Sequence, residues 1–150
     1  MHRYLTTRRT TLVQALYGAG VLALSMGRAR AHDVRDNQPS SARWYEAAAR
    51  MRQLALGWGD QAYGAVLVLN DTLVGEGPSK VVKNADPNAH AERVAIADAQ
   101  ARLGRASLAG SVLYSTSRPC RECEDAAARA QVSRMIYGEA LHDAGRPTLR

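Results

Sequence analysis

The segment Ala65-Val66-Leu67-Val68-Leu69-Asn70-Asp71-Thr72-Leu73-Val74-Gly75-Glu76 (residues 65–76) sets an apolar run, a polar turn and a second, looser apolar run in a row. The first run has strand length and no polar residue interrupts it, so it is expected to be buried on both faces. Asn70-Asp71 is a turn signal, and Thr72–Glu76 reads as the return strand of a hairpin. Upstream, Ser40 and Ser41 can cap a helix running to about Leu56, with Gly57 as its stop. Trp44, Ala48, Met51 and Ala55 share one face of that helix, at core spacing. Downstream, Gly77–Asn88 reads as a loop, and an alanine-rich helix is expected from about His90 to Leu103. Ser111–Ser115 reads as a strand, Pro119 as the opening of a helix reaching about Ala130, and Val132–Tyr137 as the last clear strand. Strands alternate with helices in the second half, which predicts right-handed crossovers and an α/β sheet with helices on both faces.

The chain has 150 residues, a length that fits one domain with one sizeable core. Phe is absent, so that core must be built from Ala, Val, Leu and Ile. The net charge of +6 resembles a nucleic-acid footprint until its distribution is read. Of the 20 Lys and Arg, five (Arg3, Arg8, Arg9, Arg28 and Arg30) fall within the first 31 residues, which hold no acid; setting those five aside leaves 15 basic against 14 acidic residues. That near-neutral remainder gives no support for a polyanion partner.

Thr7-Arg8-Arg9-Thr10-Thr11-Leu12 is a basic start to the apolar stretch Leu12–Met26, and Ala29-Arg30-Ala31 supplies small residues around a cleavage point. Basic, apolar, small-x-small is the layout of a secretory signal, and the adjacent arginines resemble the twin-arginine export class. Gln14 and the glycines leave the stretch short of the roughly 20 apolar residues of a spanning helix. An uncleaved anchor and an ordinary helix are the other readings. The expected organisation is thus an export signal over 1–31, a flexible leader over 32–40 and one domain over 41–150, in the periplasm and free of the membrane after cleavage.

Four side chains stand out: His90 and Glu92 in Asn88-Ala89-His90-Ala91-Glu92, and the two cysteines in Pro119-Cys120-Arg121-Glu122-Cys123. Cys120 and Cys123 are three apart, so on one helical turn their sulfurs face the same way. A helix start favours thiolate, the metal-binding form, and Pro119 suits the first helical position. His90 and Glu92, two apart, would point to nearly opposite sides of a regular helix. They share a site only if His90 lies at the helix entrance, which Pro87 and the capping residue Asn88 favour. Two cysteines and one histidine make the three-ligand set of catalytic zinc, with a position left for water. Glu92 is then free to move protons. Rival readings are a redox or disulfide C-x-x-C pair, and a closed structural site with His142 as fourth ligand.

The pattern H-x-E…P-C-x-x-C resembles the zinc signature of the cytidine and deoxycytidylate deaminase superfamily. Ala62–Val68, Gly75-Glu76-Gly77, Asp86–Glu92, Leu113–Thr116 and Pro119–Cys123 look most like its guanine deaminase and bacterial tRNA adenosine deaminase branch. The resemblance implies a three-layer α/β/α fold around a mixed sheet, with the first strand antiparallel to its hairpin partner. It also implies one Zn2+ per chain on His90, Cys120 and Cys123, and hydrolytic release of ammonia from a small heterocyclic substrate. Glu92 would protonate the ring nitrogen and then the leaving amine, and the Ala91 N–H would orient the base. The branch usually has an asparagine where this chain has Pro78-Ser79-Lys80, making Ser79 the substitute substrate contact. It favours glutamate where this chain has Arg118. Relatives carry a further helix, strand and helix over the pocket, a lid that this chain either lacks or takes from a second subunit of a homodimer. A noncatalytic zinc-binding module of the same fold is the alternative function, and a periplasmic dithiol protein a third.

Overall fold

The structure is a computed structural model that describes residues 40–149. Residues 1–39, read above as an export signal and most of a leader, lie outside the described residues. Three helices and five strands follow in the order α1 (Ser40–Gly57), β1 (Gly64–Leu69), β2 (Thr72–Pro78), α2 (Ala91–Leu103), β3 (Val112–Ser115), α3 (Arg121–Arg129), β4 (Arg134–Tyr137) and β5 (His142–Gly145). The sheet order is β2-β1-β3-β4-β5. β1 is antiparallel to both β2 and β3, β3 and β4 are parallel, and β4 and β5 are antiparallel. This is the mixed sheet expected, with the hairpin turning at Asn70-Asp71, both at positive φ.

Side-chain alternation sorts the sheet into two faces. Val66 and Val68 of β1, with Tyr114, Val112 and Ile136, pack on Trp44, Ala47, Ala48 and Met51 of α1. Leu67, Leu113 and Met135, one residue out of phase, pack with Ile96 and Ala99 of α2 and Ala127 of α3. The three layers follow: α1 on one face, α2 and α3 on the other. Leu67, Leu108, Leu113 and Met135 are the largest fully buried side chains. Each is worth about 1.5–3 kcal/mol over its exposed state.

Glycines set how closely helix and sheet approach. A Cβ on Gly77 would land on the carbonyl oxygen of Ala91 and the nitrogen of Ala95; on Gly75 it would strike Ala95 and Ala99. The backbone of β2 therefore lies against the first turns of α2. Asp98 accepts the Glu76 N–H at 2.8 Å, and Arg102 bridges Glu76 and Asp98, both at 2.8 Å.

Two expectations change. β5 follows β4 although Val132–Tyr137 reads as the last strand: His-Asp-Ala-Gly has no apolar alternation, because this is a largely exposed edge strand. Pro119 precedes the N-cap of α3, which is Cys120 itself, and so sits outside the helix rather than in its first turn.

Candidate metal centre

α2 and α3 both begin at the site. His90 is the N-cap of α2, at φ −61° and ψ 151°, and Cys120 is the N-cap of α3, at φ −74° and ψ 167°. Both are extended, not helical, as N-caps are. Extended backbone at His90 solves the problem of two-residue spacing, since its side chain is not bound by the helical angle that fixes Glu92. Asn88 is not the cap; its Oδ1 accepts a hydrogen bond from Arg93 at 2.8 Å. The crossover through β3 brings the two helix starts together.

His90 Nδ1 lies 3.5 Å from Cys120 Sγ and 3.4 Å from Cys123 Sγ, and the sulfurs are 3.1 Å apart. The cysteines are free, and their separation far exceeds the roughly 2.05 Å of a disulfide. Zinc takes sulfur at about 2.3 Å and imidazole nitrogen at about 2.0–2.1 Å. One ion reaches all three atoms of a triangle this size. Among the described residues these three form the group able to hold a metal. His142, the fourth ligand that a closed site would need, is not in it. It lies exposed on β5, its ring 5.4 Å from that of Tyr137. In the bare fold the Cys123 thiol is held in its neutral form. Burial pushes the Cys123 thiol far up, and the Glu92 carboxylate pushes it further. A positive ion between the sulfurs reverses both effects.

Glu92 is buried, and its Oε2 lies 3.6 Å from Cys123 Sγ. Burial raises its pKa, against smaller opposing contributions from its own N–H, Cys123 and His90. Ala91, the first residue of α2, presents an N–H with no intrahelical carbonyl to reach. A cavity of about 390 Å³ opens onto this group, lined by Gln61, Tyr63, His90, Ala91, Glu92, Ser117, Arg118 and Cys120.

Of the residues singled out in the sequence, His90, Ala91, Glu92, Cys120 and Cys123 come together. Ser79 does not join them. Its side chain is fully buried, and its hydroxyl donates to Asp60 Oδ1 at 2.8 Å. The expectation that Ser79 touches substrate finds no support in this geometry: Ser79 is not in the cavity lining and satisfies its hydroxyl inside the fold. Gln61 and Ser117 were not expected at the cavity; neither has a local sequence signal, since each is placed by the end of a strand.

Residues 39–139 match the family described as cytidine and deoxycytidylate deaminase zinc-binding region, and the chain belongs to that family. A tRNA-specific adenosine deaminase of Buchnera aphidicola is 38% identical over 80 residues, which are 53% of this chain and 49% of that one. The guanine deaminase of Bacillus subtilis is 35% identical over 82 residues, 55% of this chain and 53% of that one. The chain thus spans about half the length of these curated relatives. Among solved structures, a tRNA:A34 deaminase of A-to-I editing superposes with a TM-score of 0.62 at 32% identity, covering 64% of this chain and 70% of that one. The Bacillus subtilis guanine deaminase structure superposes with a TM-score of 0.62 at 29% identity, covering 65% of this chain and 66% of that one.

Proposed function

We propose that this chain is a zinc-dependent hydrolytic deaminase that removes the exocyclic amine of a nucleobase, nucleoside or related heterocycle. The reaction consumes one water, leaves a ring carbonyl and releases ammonia. The observation that carries the reading is Glu92, a buried carboxylate beside the three metal donors but not among them. A purely structural site has no use for such a group, which disfavours the noncatalytic module.

Zinc on His90, Cys120 and Cys123 would supply the Lewis acidity that makes water a nucleophile near neutral pH. Glu92 takes one proton of the attacking water and hands it to the ring nitrogen; it then takes the second from the added hydroxyl, as the ring carbonyl forms and the C–N bond breaks, and gives it to the departing amine. Its burial suits that work, because desolvation makes the proton-bearing form easier to hold than in an exposed carboxylate. The N–H of Ala91, a cavity-lining residue at the helix start, orients an acceptor on the ring. A small heterocycle is favoured over tRNA because the chain beyond residue 31 is close to charge balance.

The test is an ammonia-release screen over bases, nucleosides and pterins, repeated with Glu92→Gln. We expect the variant to keep its zinc and to lose about 100- to 10,000-fold in turnover. Loss of zinc would make Glu92 a ligand, and full activity would assign the protons to another group. We also propose export by the twin-arginine route, supported by Arg8-Arg9, the apolar stretch and Ala29-Arg30-Ala31. The mature protein should then begin at His32, and lysine at both Arg8 and Arg9 should stop its passage. Undiminished export of that double variant overturns this assignment.

A further inference from the structure

We propose that the substrate carries an anionic group, a phosphate or a carboxylate, and that Arg118 at the cavity receives it. This deepens the deaminase reading and rests on it. The cavity lining combines two kinds of group. His90, Cys120 and Glu92 gather the reacting chemistry. Arg118 is exposed and among the described residues makes no hydrogen bond or ion pair. Elsewhere Arg102 is paired with Glu76 and Asp98, and Arg134 with Asp143. Arg118 is left open where a ligand must pass.

Its neighbours do not oppose an anion. Gln61, Tyr63 and Ser117 are neutral, and Glu92, the one carboxylate of the lining, is buried beside the sulfurs. Tyr63 is 46% exposed and offers a flat ring to a heterocycle. The Ser79 hydroxyl is engaged by Asp60 and lies outside this lining. Apart from the metal donors and Glu92, Arg118 is the charged group of the lining, able to hold a substituent by its charge. An arginine fork suits that task, since it binds phosphate and carboxylate oxygens through paired N–H donors.

Matched probes separate the sources of charge: adenosine against AMP, guanosine against GMP and cytidine against CMP for phosphate, and pterin against pterin-6-carboxylate for carboxylate. Calorimetric titration of full-length, zinc-loaded Glu92→Gln protein reads binding without turnover. In at least one pair the anionic member should bind about ten-fold tighter. Arg118→Lys should keep part of that preference, Arg118→Gln should abolish it, and Arg118→Glu should reverse it, all with unchanged zinc content. Arg118 is exposed, so these changes leave the core intact. Equal binding in every pair, no binding in any, or a preference that survives Arg118→Glu overturns the proposal. The two readings fail separately. If the Glu92-intact protein releases ammonia equally from neutral and anionic members, the anion site falls and the deaminase stands. If binding depends on Arg118 but no probe releases ammonia, the anion site stands and the deaminase falls.

Discussion

Asp60 ties one wall of the cavity together although it touches neither metal donors nor cavity. Its Oδ1 accepts from the Ser79 hydroxyl at 2.8 Å and the Gln61 N–H at 2.7 Å; its Oδ2 accepts from the N–H groups of Val82 at 3.0 Å and Lys83 at 2.8 Å. Burial pushes its pKa up, but the donors of Lys83, Gln61, Ser79 and Val82 outweigh burial and hold the carboxyl below its ordinary value of 3.8. A depressed folded pKa means stability that is complete above the unfolded value and is lost as pH falls through the folded one. Asp60→Asn should therefore lower the melting temperature at neutral pH, because an amide group offers two N–H where the loop needs acceptors. The gap between variant and wild type should narrow below pH 3.8. Thermal melts of both from pH 7 to pH 2.5 check this, and a constant gap refutes it. The metal residues were legible in the sequence because H-x-E and P-C-x-x-C together match a known zinc signature; local spacing accounts for each pair but not for their meeting across 30 positions. Asp60 was not: its donors lie up to 23 positions away, and locally it looks like any acid in a solvated turn.

The hairpin was read from the sequence because its apolar run and its turn are both local. The placement of α2 depends on what a glycine allows another element to do. Gly77 holds β2 against Ala91 and Ala95, the residues that flank Glu92. A methyl group there must push α2 outward and carry His90 and Glu92 away from Cys120 and Cys123. Gly77→Ala should cost about 1–3 kcal/mol, the usual range for overpacking. It should also weaken zinc binding more than the same change at exposed Gly57, where a Cβ meets nothing within 4 Å. Urea unfolding and zinc competition against a chromogenic chelator, run on both variants, measure the two effects. Equal zinc affinities for Gly77→Ala and wild type would show that β2 does not position the metal site. The edge strand β5 lay beyond sequence reading for the opposite reason. It is a strand through hydrogen bonds to β4 and an ion pair between Arg134 and Asp143 at 3.3 Å, with no buried face to leave a pattern.

At the scale of the molecule, the metal donors close a loop that the core alone leaves open. His90 opens α2 and Cys120 opens α3, and these helices cover one face of a sheet whose central strand β3 lies between them in sequence. The core under them is made of small residues, Ala99, Ala127 and Ala130 among larger leucines, in a chain without Phe. Less apolar area is buried per helix than aromatic side chains would supply. An ion bound to both helix starts therefore contributes a large share of what holds them in register. It binds the folded chain, where the donors are assembled, far better than the unfolded one, so its binding energy adds to folding. At free zinc about 1,000 times its dissociation constant the added stability is about 4 kcal/mol. Removing zinc with a strong chelator should lower the melting temperature by roughly 10 °C or more for a domain of this size. Cys120→Ala should melt at the chelated temperature and should not respond to added zinc. That second condition separates loss of the ligand from general damage, which would leave a response to zinc in place. Calorimetric melts of wild type and variant, each with and without chelator, make the comparison. If wild type melts at one temperature in both conditions although metal analysis confirms that zinc has left, the ion serves chemistry alone.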